Sequence, residues 1–154
     1  MTVAARLPGS LRRAVIRTMG RLHKTLYRLS RGRIGGSISG IPVLLLTTTG
    51  RRSGKHRTTP LLHFRDGADL VVIASNGGED RAPSWWINLQ QQPHARVTIG
   101  ADQLAVTARP APAAVHERLW PTITAAFPAY AAYQRRTTRQ IPVVLLTPEH
   151  DDIS

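Results

Sequence analysis

Nine consecutive residues, Thr49-Gly50-Arg51-Arg52-Ser53-Gly54-Lys55-His56-Arg57, hold four permanent cations and a histidine between two apolar runs. Guanidinium forks and free backbone N–H groups on a glycine-bounded turn suit phosphate or carboxylate oxygens. A solvated hairpin tip is often charged as well, so the turn alone leaves both readings open. Ser75-Asn76-Gly77-Gly78 follows an apolar run, and its missing side chains would let a ligand approach backbone closely; an ordinary turn has the same composition. Trp85, Trp86, Tyr130 and Tyr133 add large flat side chains to a chain that is only 5% aromatic, which singles them out as pocket walls. Adjacent tryptophans on a helix point in different directions, so at most one is simply core and the other is free to wall a pocket.

Other chemistries fail on spacing. Gly50 to Gly54 lacks the central serine of a nucleophile elbow, and its three-residue gap is one short of a phosphate-binding P-loop. The six histidines are scattered without metal-ligand spacing, so no metal site is expected, and the acids form no catalytic pair. With no cysteine, thiol and disulfide chemistry are excluded.

A net charge of +12 suggests nucleic acid until its distribution is read. Nine of the 21 Lys and Arg residues lie between Met1 and Gly36, where there is no acid; the rest of the chain sets twelve cations against nine acids. The body is close to neutral and its aromatics do not interleave with its cations, which disfavours a nucleic-acid module. Within the leader, Leu11, Val15, Met19, Leu22, Leu26 and Leu29 recur at helical spacing with arginines around them. Such a basic amphipathic helix either docks on the body or lies on an anionic membrane surface.

The elements that must position these residues are short. Length fits one domain: a leader at 1–36, a body at 40–148 and a tail at 149–154. Strand patterns cover Pro42 to Thr47, His56 to Arg65, Asp69 to Ser75, Ala95 to Ile99, Gln103 to Arg109 and Ile141 to Thr147. Helical patterns cover Pro83 to Gln90, Pro112 to Phe127 with a kink expected at Trp120-Pro121, and Ala129 to about Arg136. About six mostly antiparallel strands with outer helices predict an α+β fold built on a small, partly open β-barrel. IPVLLLT at Ile41 and IPVVLLT at Ile141 read as two buried strands of one sheet.

Five stretches together carry a resemblance: Thr47 to Leu61, Ala74 to Gly78, Pro83 to Leu89, Pro128 to Gln134 and Arg139 to Val144. In this order they resemble the deazaflavin-dependent nitroreductase family, actinobacterial proteins that bind coenzyme F420 on a split β-barrel of the FMN-binding type. The resemblance implies an F420H2-dependent reductase that passes hydride to a small hydrophobic acceptor such as a quinone, an activated alkene or a nitro compound. It implies that Arg51, Arg52, Ser53 and Arg57, with help from Lys55, meet the phosphate and oligoglutamate tail. Thr58, Thr59, Pro60, Leu61, Leu62, His63, Ile73, Ala74, Ser75 and Asn76 would line the ring. Ser84, Trp85, Trp86 and Asn88 would border the pocket, and Tyr130 with Tyr133 would cover it; Trp85, Tyr130 and Tyr133 would position substrate. Phe127, Asn76 and Leu62 depart from aromatic positions of the nitroimidazole-reducing member, which turns the expectation toward a quinone or activated alkene. The alternatives are a non-catalytic carrier of F420 or a lipid-like ligand, and an FMN-binding oxidoreductase of the same fold. The expected location is cytoplasmic, with peripheral contact at the inner face of the membrane through the leader.

Overall fold

Leucine-rich and β-branched runs, buried on both faces, set the sheet. A computed structural model describes residues 36–150; the helix expected in the leader and the last four residues of the tail lie outside them. The strands are β1 (Ser37–Ile38), β2 (Ile41–Thr49), β3 (His56–Leu62), β4 (Phe64–Asp66), β5 (Asp69–Ile73), β6 (His94–Ile99), β7 (Asp102–Pro110) and β8 (Val143–Pro148). Three helices accompany them: α1 (Ser84–Gln91), α2 (Ala113–Ala126) and α3 (Ala129–Arg135). All strand pairs are antiparallel, in the order β1-β2-β6-β7-β8-β5-β4, with β3 on the other side of β2.

Eight strands stand where about six were expected. Two-residue β1 has too little pattern to be read from sequence, and the single run His56 to Arg65 divides at His63 into β3 and β4. That division curls the sheet without pairing its edges. β3 and β4 are the two ends of the sheet, and one residue joins them, so the chain turns a corner from one edge to the other at His63. The His63 N–H donates to the Pro42 carbonyl at 3.0 Å, which ties the corner to β2.

Period-2 alternation divides the core between the two sides of the sheet. Leu44, Leu46, Leu70, Val72, Val144 and Leu146 point inward, where Trp85, Trp86 and Leu89 of α1 pack on them. Val71, Ile73, Val143 and Leu145 point outward and are covered by Ile123 of α2 and Tyr130 of α3. The two similar heptads form β2 and β8 in the same sheet, as expected. Helix α2 runs unbroken through Pro121, and the Thr124 hydroxyl donates to the Trp120 carbonyl at 2.9 Å.

Candidate functional site

The basic turn is a tight, internally bonded loop between β2 and β3. Thr49 pairs with His56 as the last rung of the ladder. Beyond it the Gly50 N–H donates to the Lys55 carbonyl at 2.7 Å and the Gly54 N–H to the Gly50 carbonyl at 2.8 Å. The Ser53 hydroxyl oxygen accepts from the Lys55 N–H at 3.2 Å, so Ser53 shapes the turn. A side chain at Gly50 would press on that hydroxyl at 2.9 Å, which is why glycine opens the loop.

Arg51 is the anchored cation of the four. The Asn88 side-chain oxygen accepts from its backbone N–H at 3.2 Å and from its Nη1 at 2.9 Å, while the Asn88 amide donates to the Thr48 hydroxyl at 3.2 Å. Asn88 and Thr48 are buried, so helix α1 fixes the base of the loop from inside the barrel. Arg52, Lys55 and Arg57 are exposed, and no acid pairs with them among the described residues. A compact set of solvated, unpaired cations on a rigid turn is the donor set an anionic group requires.

A cleft lies at the far end of β3 from this turn. It has a volume of about 300 Å³ and is lined by Val43, Pro60, Leu61, Leu62, Ile73, Ser75, Gly77, Phe127, Tyr130 and Tyr133, with Ile38 at its rim. From Arg57 to Leu62 the strand advances about 17 Å at some 3.4 Å per residue. One elongated molecule can therefore reach both. Strand β3 pairs only with β2, which leaves its other backbone edge beside the cleft, and Pro60 is tolerated there because an edge strand needs no donor on that side.

Three connections hold the cleft's second wall. Asn76, Gly77 and Gly78 all have positive φ and form a short 3-10 turn after β5. A Cβ on Gly78 would lie 2.6 Å from the Tyr133 carbonyl oxygen and 2.8 Å from its Cα, so glycine here admits the backbone of α3 rather than a ligand. Arg139, following α3, donates to the carbonyls of Glu79, Ala74 and Ser75 at 2.9, 3.2 and 2.9 Å. The Arg136 guanidinium lies 5.8 Å from the Tyr133 ring centroid. Tyr130 packs edge-on between Phe127 and Tyr133, with centroids 4.9 and 6.2 Å away. Burial pushes the Tyr130 phenol well above its ordinary value, with Tyr133 adding to the shift.

The structure gathers most, but not all, of the expected residues. Arg51, Arg52, Ser53, Lys55 and Arg57 share the turn; Thr58 and Thr59 continue from it, and Pro60, Leu61, Leu62, Ile73, Ser75, Tyr130 and Tyr133 meet at the cleft. Ala74 is buried in the inner core, Asn76 is exposed with its amide donating to the Arg81 carbonyl at 2.9 Å, and Ser84 is exposed at the start of α1. Trp85 and Trp86, one of which was expected to wall the pocket, both belong to the inner core, on the opposite side of the sheet from Tyr130, and neither lines this cleft. Their α1 segment plugs the barrel. Asn88 holds the basic turn from behind. His63 is buried at the corner and borders a different cavity from the one Leu62 lines. The sequence reading missed a role for Arg139, although the R-x-I-P run was a visible signal, and it missed Thr48, which lies just past the strand expected to end at Thr47.

An open antiparallel barrel with an exposed cationic turn and an aromatic-capped cleft on one edge strand has the architecture of the split-barrel cofactor-binding proteins. The chain belongs to the F420H(2)-dependent quinone reductase family, whose family model matches residues 18–148. The F420H(2)-dependent quinone reductase Rv1261c of Mycobacterium tuberculosis (strain ATCC 25618 / H37Rv) is 42% identical over 131 residues, 82% of this chain and 88% of that one. A solved F420-H2 dependent reductase, FDR-A, superposes with a TM-score of 0.62 at 38% identity, covering 68% of this chain and 93% of that one. A structure described as a domain-swapped dimer superposes with a TM-score of 0.63 at 34% identity, covering 80% and 93% of the two chains. The chain is thus an oxidoreductase whose hydride donor is reduced coenzyme F420.

Proposed function

We propose that this chain reduces a quinone in the cleft between β3 and α3, with the anionic tail of F420 held on the basic turn. The observation that carries the reading is the placement of an unpaired cationic turn and an aromatic-capped cleft at the two ends of one edge strand. Arg51, Arg52 and Arg57 meet the tail's phosphate and carboxylates, Lys55 assists, and Ser53 keeps the turn in shape. The edge of Thr58 to Leu62, with Ile73 and Ser75 opposite, holds the ring system. When bound, the reduced deazaflavin supplies hydride from C5. Tyr130 and Tyr133 cover the cleft, orient a flat acceptor and exclude water. No acid–base triad is required of the protein for that work.

A quinone fits better than a nitro compound. Phe127 and Leu62 line the cleft without a hydroxyl, and the rest of its wall combines aliphatic and aromatic side chains with Ser75 and Gly77. Activated alkenes are the next acceptors to test. We further assign the leader's nine cations to contact with an anionic membrane surface, where lipid-soluble quinones reside. Among the described residues no helix is long and apolar enough to cross a membrane.

The test is anaerobic mixing of the full chain with F420H2 and menadione, an activated alkene or a nitroimidazole, following cofactor oxidation. Menadione-dependent oxidation at least tenfold faster than with the other two is expected; binding of F420 without turnover of any acceptor would make the chain a carrier and sink the reading. A parallel titration with FMN should show weaker binding than F420. Co-sedimentation with anionic vesicles, lost on deletion of Met1 to Gly36, tests the leader.

A further inference from the structure

The register of the sheet places one more cation beside the line from the cleft to the basic turn. Leu44 and Leu46 point inward, so Val43, Leu45 and Thr47 share the outward face of β2, and their partners on β3 are Leu62, Pro60 and Thr58. Val43, Pro60 and Leu62 line the cleft. Thr47 and Thr58, whose hydroxyls are hydrogen-bonded to each other at 2.8 Å, therefore stand on the same face between the cleft and the turn. On its other side Thr47 pairs with Arg96 of β6. Directly opposed residues project from one face of a sheet, so Arg96 completes a row with Thr47 and Thr58, one strand spacing of about 4.8 Å from the first and two from the second.

No intramolecular partner occupies Arg96. It is exposed and has neither a hydrogen bond nor an ion pair from its side chain among the described residues. Its partner on β7 is Ala105, whose carbonyl accepts from the Glu149 N–H at 2.8 Å. Glu149 is the acid on that side of the row, and its carboxylate is already engaged: Oε1 lies 2.6 Å from His94 Nδ1 and accepts from the Thr107 hydroxyl at 2.8 Å. The Arg96 guanidinium thus keeps its planar fork of donors for an anion from outside the chain.

We propose that Arg96 is a further anion-binding residue of the cofactor site, which takes a phosphate or carboxylate oxygen of the F420 tail on the outward face of β2 and β6, with the Thr47 hydroxyl beside it. The inference rests on the reading that F420 spans the cleft and the turn, and it adds a second grip: β6 holds the tail on its flank, and the turn holds it at its end. Phosphate and carboxylate accept the same charge-assisted N–H bonds, and the tail carries both.

Three ligands separate the sources: the deazaflavin without phosphate or glutamates, the phosphate-bearing form without glutamates, and full F420. In fluorescence titrations Arg96→Ala should weaken full F420 at least fivefold and the phosphate-free deazaflavin less than twofold. A loss already present with the glutamate-free form assigns the contact to the phosphate, and a loss confined to full F420 assigns it to the carboxylates. Arg96→Lys, which keeps the charge without the fork, should fall between wild type and Arg96→Ala, and circular dichroism should show both variants folded as wild type. Arg52→Ala is titrated alongside. If it weakens full F420 and Arg96→Ala does not, this inference falls and the reading of the turn stands; if neither variant weakens it, both fall. An equal loss for all three ligands in Arg96→Ala would make the residue structural and would also overturn the proposal.

Discussion

The Asn88 carboxamide oxygen holds Arg51 twice, at 3.2 Å through its backbone N–H and at 2.9 Å through Nη1. A buried helix residue thereby fixes the first cation of an exposed turn 37 positions earlier. Asn88→Ala should lower stability by about 1–3 kcal/mol, because it leaves buried polar groups without partners. It should also weaken F420 binding, although Asn88 itself faces away from solvent. Chemical denaturation and a fluorescence titration check the two effects; a destabilised variant with unaltered F420 affinity would detach Asn88 from the site.

Arg52 is exposed and pairs with no acid among the described residues. Arg52→Ala should therefore change stability by less than about 0.5 kcal/mol. Loss of a charge-assisted contact worth about 1.5–3 kcal/mol should weaken F420 binding tenfold or more, and the wild-type affinity should fall more steeply with salt than the variant's. Isothermal titration at two ionic strengths measures both.

Tyr130 keeps its proton throughout the working range, since burial holds the phenol above its ordinary value of about 10. Tyr130→Phe should lower kcat with the quinone while leaving F420 affinity within twofold. Wild type and variant should show parallel pH–rate profiles from about pH 7 to 10. An alkaline limb present in the wild type and absent from the variant would contradict this.

Gly78 has φ of 81° and no room for a Cβ against Tyr133. Gly78→Ala should destabilise the fold by about 1–3 kcal/mol through overpacking, with further strain from the left-handed backbone. Arg139→Gln should loosen the same wall by removing donors from three carbonyls, which raises the acceptor KM more than the F420 Kd. Thermal melts and steady-state kinetics separate the two variants.

Acid should weaken the fold in two steps. His63 is depressed first by burial and then by Arg65. Asp66 is held down chiefly by its hydrogen bond from Arg118, and Glu149 by His94 and then Thr107. In each case the unfolded chain binds more protons, so stability rises with pH across the titration. The His63 contribution is fully present above its ordinary value of 6.5 and is lost as pH falls through its folded value. The carboxylate contributions are present above the ordinary values of 3.8 and 4.5 and fade only at lower pH. Melting temperatures of wild type and His63→Gln between about pH 4 and 8 should converge toward the acid end.

Local chemistry made much of this protein legible as a string. Apolar runs and glycine-bounded turns located the strands, because period-2 burial and turn conformations are written within a few residues. The cationic turn was visible for the same reason: its charges, glycines and serine are neighbours in the chain. The split barrel, with F420 as the family's hydride donor, followed from five stretches in order. What sequence could not supply was which side of the sheet each element covers. By size, one of Trp85 and Trp86 read as a pocket wall; α1 packs inside the barrel while α3 packs outside it, so both tryptophans sit in the inner core and Tyr130 lines the cleft. The link from Asn88 to Arg51, the approach of Gly78 to Tyr133 and the isolation of His63 Nδ1 depend on distances between residues far apart in the chain. Only the tertiary packing of the helices and strands decided them, because those distances are set across the fold and not along the chain.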